Sequence, residues 1–270
     1  MVFDVLSAGP KDGEPVLLLN GFPEFKEMWT AQLQALASAG YRAVALDQRG
    51  YSPGARPAEV SAYQVWPLVA DVLAVADAFR FGRFHLVGHD WGGCVAWTVA
   101  SLHPDRLKSL TSFSTPHTAA LHRFAQDGDQ KQRLVYVDLF RTPPVAESTF
   151  LGNGAEVLRG VYQGMVPPER VDLFVHRLSE PGALTAVFNW YRALEPGILL
   201  VPLAGRVTVP TAYVWSDRDM ALGPDAAWAT ASWVDAPYRF ESWPGLTHWI
   251  PEEAPDRSNR FLLSHLAEHR

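Results

Sequence analysis

One aspartate stands at the centre of a glycine-rich turn, where its side chain could act as a nucleophile. The run Gly88-His89-Asp90-Trp91-Gly92-Gly93 joins an apolar run that predicts a strand to an apolar run that predicts a helix. A turn this tight needs minimal neighbouring side chains, and it pushes the central residue out above the sheet in a strained conformation. The alternative is that Asp90 only caps the following helix.

A carboxylate at this position selects a class of reaction. With an ordinary pKa of about 4, Asp90 is ionised at neutral pH without the help of a base. A carboxylate attacks amides and esters poorly, because it is the better leaving group from the tetrahedral adduct. It can displace a leaving group at a saturated carbon and form an alkyl-enzyme ester. The pattern therefore predicts a substrate with an sp³ electrophile, such as an epoxide or a carbon–halogen bond.

An acid and a histidine follow in the order expected for an enzyme with its nucleophile on such a turn. Asp217 and Asp219 come directly after a predicted strand, and His248 lies near the end of the chain. A neutral histidine could take a proton from the water that attacks the ester, and a carboxylate beside it would orient the imidazole. The residues alone leave both aspartates open for this second role.

The segment Asn20-Gly21-Phe22-Pro23-Glu24 follows the first long buried strand. Its backbone N–H at Phe22, together with that of Trp91, could form an oxyanion hole for the carbonyl oxygen of the ester. The alternative is an ordinary loop in which Gly and Pro only make the turn.

The elements that must position these residues alternate between short apolar runs and helical patterns. This rhythm predicts an α/β fold with a mostly parallel sheet covered by helices on both faces. Predicted strands are Val16–Leu19, Arg42–Leu46, Phe84–Gly88, Leu110–Ser114, Thr211–Trp215 and Tyr238–Glu241, and the clearest predicted helices are Gln32–Ala39, Gly92–Leu102 and Phe261–Leu266. The chain before Val16 has room for one strand, Val2–Leu6, so we expect the sheet to lack one usual edge strand.

The α/β rhythm stops in the middle of the chain. Between about Thr115 and Gly205 the sequence is mainly helical in pattern and rich in Pro and aromatic residues. Such an insertion usually covers a site. We therefore predict a first part of the α/β core at residues 1–116, a helical lid at 117–204 and a second part of the core at 205–270.

Composition excludes several classes of function. The chain has 270 residues, of which 48% are hydrophobic, and a formal net charge of −6 without any Lys/Arg run. Nothing here supports nucleic-acid or membrane-surface binding, and no stretch approaches the ~18 apolar residues of a membrane span. The start of the chain lacks the pattern of a signal peptide. Cys94 is the only cysteine and is expected to be a core residue, so we expect a cytoplasmic protein.

Five motifs together resemble the soluble epoxide hydrolases of the α/β-hydrolase superfamily, and the similarity extends over nearly the whole chain. They are Asn20-Gly-Phe-Pro-Glu24, Asp47-Gln-Arg-Gly-Tyr51, Gly88-His-Asp-Trp-Gly-Gly93, Asn189-Trp-Tyr-Arg192 and His248-Trp249. The core motifs are shared with haloalkane and haloacid dehalogenases. The motif at residues 189–192 is more specific to epoxide hydrolases.

The resemblance implies a role for each matching residue. Asp90 would be the nucleophile, His248 the base and Asp219, rather than Asp217, its partner. Two lid tyrosines, Tyr136 and Tyr191, would hydrogen-bond the epoxide oxygen and assist ring opening. No metal or organic cofactor is implied.

Three further positions qualify this match. Glu24 corresponds to an acidic residue that helps to orient the hydrolytic water. The residues flanking Tyr136 depart from the family's usual aromatic and Gln pattern. Asn20 stands where the family usually has His, although the oxyanion donors nearby are backbone groups.

The implied reaction is the hydrolysis of a hydrophobic epoxide to a vicinal diol, with water as the second substrate. One alternative is a hydrolytic dehalogenase, in which the Trp91 indole N–H would contribute to a halide site. Another is a ligand-binding protein on an inactive hydrolase scaffold, an interpretation that only Asn20 encourages. The natural epoxide and the oligomeric state stay open, and a homodimer is one state that the sequence allows.

Overall fold

The computed structural model describes residues 1–194 and 204–270. Within them, seven strands form one sheet in the order β1-β3-β2-β4-β5-β6-β7. The strands are β1 Val5–Ala8, β2 Glu14–Leu19, β3 Tyr41–Leu46, β4 Phe84–His89, β5 Leu107–Phe113, β6 Thr211–Ser216 and β7 Tyr238–Trp243. All neighbouring strands are parallel except the antiparallel pair β1 and β3. The predicted fold class is confirmed.

The central strands are buried along their whole length, as parallel strands covered on both faces must be. Residues 16–19 of β2 and all of β4 are buried, which explains their continuous apolar runs. The helices of the core are α1 Thr30–Ser38, α2 Val65–Ala78, α3 Trp91–Leu102, α10 Pro224–Ala229, α11 Ile250–Glu253 and α12 Pro255–Glu268. Nearly every residue of α3 is buried, because it packs directly against the sheet.

Most predicted strands differ from the observed ones by only one or two residues at their ends, and two begin three residues away from the predicted position. A single strand precedes β2, as expected, but it begins at Val5 and not at Val2. The reason is that Val2 donates its N–H to the carbonyl of Gly54, and the N–H of Asp4 donates to Ser52 Oγ. Strand β5 begins three residues earlier than predicted, because polar residues interrupt its apolar pattern.

Six helices lie between β5 and β6 in the described part of the chain. They are α4 Thr118–Phe124, α5 Gly128–Arg133, α6 Tyr136–Phe140, α7 Val145–Val161, α8 Pro168–Leu178 and α9 Ala183–Arg192. Helix α7 is interrupted by non-helical residues 152–155. The predicted helical stretch continued to residue 204, and its part at 195–203 lies outside the described residues. No described helix is both long and apolar enough to span a membrane.

These helices cover the carboxyl ends of the parallel strands. Tyr162 donates its hydroxyl to the carbonyl of Pro23 (2.8 Å), in the loop after β2. The indole N–H of Trp190 donates to the carbonyl of Arg49 (2.8 Å), in the loop after β3. Ligands of open α/β sheets bind at this edge, so the helical segment stands over the place where a site is expected.

An ion cluster fastens α8 to the core. Asp47, fully buried after β3, accepts bonds from Lys26 Nζ (2.7 Å) and from Arg177 Nη2 of α8 (2.5 Å). Arg177 also pairs with Glu27 (3.0 Å), and its guanidinium lies 3.9 Å from the centre of the Phe25 ring. Burial raises the pKa of Asp47, whereas the two cations favour its ionised form. The carboxylate therefore depends on both partners.

We predict that Arg177→Met lowers the free energy of unfolding by about 2–4 kcal/mol, because it removes one of two cations from a buried carboxylate. Urea unfolding followed by circular dichroism measures this loss. The matched control is Arg159→Met, which breaks the exposed pair between Arg159 and Asp172 and should cost less than about 1 kcal/mol. Equal losses in the two variants would contradict the anchoring role of Arg177.

Candidate active site

Asp90 occupies the sharp turn between β4 and α3. Its backbone has φ 51° and ψ −123°, a left-handed φ that is strained for a residue with a side chain. The neighbouring glycines have no room for a Cβ. A Cβ added to Gly88 would lie 2.4 Å from the carbonyl oxygen of Gly92. A Cβ added to Gly92 would lie 2.3 Å from the carbonyl oxygen of Leu19. The backbone is therefore strained at Asp90, and the same turn places the Asp90 carboxylate above the sheet.

The two oxygens of this carboxylate have different neighbours. Oδ1 accepts the backbone N–H of Phe22 at 2.7 Å, and Oδ2 lies 3.5 Å from Nε2 of His248. The loop after β2 comes so close that a Cβ on Gly21 would lie 2.3 Å from the Asp90 Cβ. The carboxylate therefore contacts this loop and His248 as well as the N–H of Trp91 at the start of α3, so capping of the helix is not its only contact.

Asp219 is the carboxylate that holds the histidine. Its Oδ2 lies 2.8 Å from His248 Nδ1, and its Oδ1 accepts the N–H groups of Ala221 (2.8 Å) and Leu222 (2.9 Å). Asp217 is exposed and accepts the N–H of Gly245 instead. The structure therefore brings together Asp90, His248 and Asp219, and it leaves the competing aspartate at the surface.

The charge of His248 differs from the sequence-based expectation of a neutral imidazole. Burial opposes a charge on this ring, but the adjacent carboxylates of Asp219 and Asp90 outweigh it and raise the pKa of His248 to about 10. Burial likewise favours the neutral form of Asp90, yet His248, His89 and the N–H of Trp91 hold its pKa below the usual value. The two carboxylates thus favour the charged form of His248, and His248 in turn favours the ionised form of Asp90.

Both tyrosines named from the sequence face the same cavity as Asp90. The cavity has a volume of about 200 Å³. Its lining consists of Phe22, Asp90, Tyr136, Phe140, Phe150, Val161, Tyr191, Met220, Ala221, His248 and Trp249. The rings of Tyr136, in α6, and Tyr191, in α9, have centroids 6.4 Å apart.

The tyrosines can serve as proton donors. Burial, followed by the charge of Asp90, raises the pKa of both phenols above the ordinary value. Tyr191 packs edge-on against the rings of Trp91 (5.2 Å) and Phe22 (5.9 Å), which fixes its orientation. Two protonated phenols therefore flank the carboxylate in a nearly apolar cavity.

Glu24 lies behind the cavity and is fully buried. Its Oε2 is 3.2 Å from His89 Nδ1, and His89 donates from Nε2 to the backbone carbonyl of His248 (2.9 Å). The side-chain amide of Asn20 donates to the carbonyl of Glu24. Sequence reasoning did not single out His89, although its place directly before the nucleophile was the available signal.

Comparisons with known proteins agree with this arrangement. Residues 14–255 match the family described as alpha/beta hydrolase fold. Epoxide hydrolase 3 of Xenopus tropicalis is 32% identical over 278 residues, which cover 98% of this chain and 75% of that protein. Epoxide hydrolase A of Mycobacterium tuberculosis is 30% identical, with 97% and 93% covered. A solved structure described as novel epoxide hydrolases from metagenomes of hot environments superposes with TM-score 0.85, at 28% identity, over 99% of this chain and 95% of that chain.

We predict that Asp90→Asn lowers the pKa of His248, because it removes one of the two negative charges that favour the imidazolium. Titration of the His248 ring signals by NMR measures the change. Asp219→Asn should also lower this pKa. Asp217→Asn is the control and should leave the pKa unaltered, because it changes an exposed carboxylate of the same loop. An unchanged His248 pKa in Asp90→Asn would show that the two side chains are not coupled.

Proposed function

The chain belongs to the epoxide hydrolase family of the α/β-hydrolase fold, and from this premise we propose that it hydrolyses hydrophobic epoxides to vicinal diols through an ester on Asp90. The observation that carries the proposal is that the two oxygens of the Asp90 carboxylate have different partners. Oδ1 accepts a backbone N–H, Oδ2 lies beside Nε2 of His248, and Asp90 lines the cavity. A carboxylate placed in this way is ready to attack and is preorganised for the ester that follows.

In the first step Oδ2 attacks one carbon of the epoxide ring, and the bond from that carbon to the ring oxygen breaks. The ring oxygen takes a proton from Tyr136 or Tyr191 as it leaves. Because the phenols are protonated at neutral pH, they can supply this proton. The products of the step are an alkyl ester on Asp90, a free hydroxyl group on the neighbouring carbon and a phenolate on the tyrosine that gave its proton.

In the second step water attacks the carbonyl carbon of the ester. Forming the ester cancels the charge of Asp90, which removes one cause of the raised His248 pKa. The imidazolium can then return a proton to the tyrosine phenolate left by the first step, and the neutral imidazole acts as the base that deprotonates the water. Oδ1 gains negative charge beside the N–H groups of Phe22 and Trp91, our proposed oxyanion hole. When this adduct collapses, the departing alkoxide takes the proton of the newly formed carboxylic acid, which frees the diol and restores the Asp90 carboxylate.

Two supporting roles complete the proposal. We assign residues 1–116 and 205–270 to the hydrolase core and 117–204 to a lid that supplies both tyrosines. We assign Glu24 to the water-orienting role. Its buried carboxylate and the adjacent His89, which bonds the His248 backbone, support a position behind the imidazole.

We predict that His248→Gln reacts with one equivalent of epoxide and then stalls, because Asp90 attacks without a base but ester hydrolysis needs one. Intact-mass spectrometry should show the protein heavier by one substrate, and peptide mapping should place the added mass on Asp90. The exposed His176→Gln is the control and should turn over normally.

Asp90→Asn should form no adduct on the timescale of wild-type turnover. An unmodified Asp90 in His248→Gln, with an epoxide that the wild type hydrolyses, would exclude the covalent route. Direct attack of activated water would then replace it.

We predict that the double variant Tyr136→Phe/Tyr191→Phe loses at least about 10²-fold in the rate of ring opening, since proton donation to the leaving oxygen contributes roughly 10²–10⁴. Single-turnover formation of the Asp90 ester measures this step. Tyr41→Phe/Tyr238→Phe, which changes two tyrosines at the opposite end of the sheet, is the matched control. Full ring-opening activity in the first variant would contradict the role of the tyrosines and remove the main reason to prefer an epoxide over a halide substrate, and chloride release would then test the halide.

A further inference from the structure

Two cavities of very different size meet at Asp90. Both are lined by Asp90, Tyr136, Tyr191 and Ala221, and they differ in every other lining residue. The larger cavity, called here the wide arm, continues between Phe22, Phe140, Phe150 and Trp249. The smaller cavity, called the short arm, continues between Trp91, Cys94, Thr115, Leu121, Leu134 and Leu222. An epoxide placed at Asp90 therefore has two directions for its substituents.

The volumes limit what each arm holds. The wide arm measures about 200 Å³, which exceeds the ~150 Å³ of an apolar cavity that binds benzene. The short arm measures about 20 Å³, whereas one water molecule already requires roughly 10–15 Å³. The wide arm accepts an aromatic ring, and the short arm accepts a hydrogen atom or about one methyl group.

Buried side chains form the walls of the short arm in the described part of the chain. Its lining residues Trp91, Cys94, Leu121, Leu134 and Leu222 are all buried, each with 5% or less of its surface exposed. The wide arm reaches the surface at Met220, which is 46% exposed. The exposed side chain at the wide arm favours entry of the substrate on that side, and the buried residues described around the short arm leave little room for a second large substituent.

We propose that this enzyme takes epoxides with one large apolar substituent and nothing larger than a methyl group on the other ring carbon, with Leu121 and Leu134 setting that limit. The inference rests on the proposed epoxide hydrolysis. In a trans-disubstituted epoxide the two groups point to opposite sides of the ring. When one group fills the wide arm, the other must enter the short arm.

The test is a graded series in which the group opposite the phenyl ring grows. Styrene oxide and trans-β-methylstyrene oxide should be hydrolysed with similar kcat/KM. Trans-stilbene oxide should be at least about 100-fold poorer, since a misfit of more than one methylene in a closed pocket costs at least that much. Comparable kcat/KM for all three would overturn the inference and leave the proposed function intact. Turnover of none of them, nor of any alkyl or terpene-like epoxide, would refute the proposed function itself.

Widening the short arm should relax this limit. Leu134→Ala should improve kcat/KM for trans-stilbene oxide relative to styrene oxide by about tenfold or more. Leu178→Ala, an equally buried leucine in α8 that lines neither arm, is the matched control and should leave the ratio unchanged. Thermal unfolding verifies that both variants are folded, and Leu121→Val and Leu134→Val serve as milder replacements. A ratio that stays constant in every folded short-arm variant would overturn the role of these leucines.

Discussion

The buried charge of Asp90 is the constraint around which the site is built. A carboxylate facing a nearly apolar cavity loses most of its hydration, so the protein must supply donors in its place. Those donors come from distant parts of the chain: the N–H of Phe22 from the loop after β2, and His248 from the loop after β7. Each arrives because parallel strands deliver their carboxyl ends to one edge of the sheet. The strained turn at Asp90 is stable only because this surrounding structure holds it.

In the proposed mechanism, the same charge would let one histidine serve both steps of the reaction. While Asp90 is ionised, it and Asp219 raise the pKa of His248, so the imidazolium stabilises the attacking carboxylate. In the proposed ester, only Asp219 would still support the charged ring, and the ring would become able to accept a proton from water. The change in charge on Asp90 would thus convert His248 from an electrostatic partner into a base.

The sequence was sufficient for features that depend on local pattern. The glycines around Asp90 predict the turn, because a backbone approach of this closeness leaves no other residue type, and continuous apolar runs predict the buried strands. Features that depend on contacts between distant residues needed the structure. Asp217 and Asp219 stand two residues apart after the same strand, and only the path of the loop decides which of them is buried against His248. The contact of Glu24 with His89 joins residues 65 positions apart, and no local pattern announces it.

The loop after β6, which carries Asp219, connects the orientation of His248 to the shape of the cavity. Asp219 is held by the N–H groups of Ala221 and Leu222, and these two residues also form walls of the short arm. Gln130 of α5 reinforces the connection, because it donates to the carbonyl of Ala221 and accepts the N–H of Gly223. A change on this side of the short arm would disturb the partner of His248 together with the volume of the arm. Leu121 and Leu134 approach from the helical segment, and their apolar side chains form no hydrogen bond with Asp219. Arg133, next to Leu134, donates to the carbonyl of Asp219, so of the two leucines Leu121 is the one at which the size of the substrate can vary with the acid left in place.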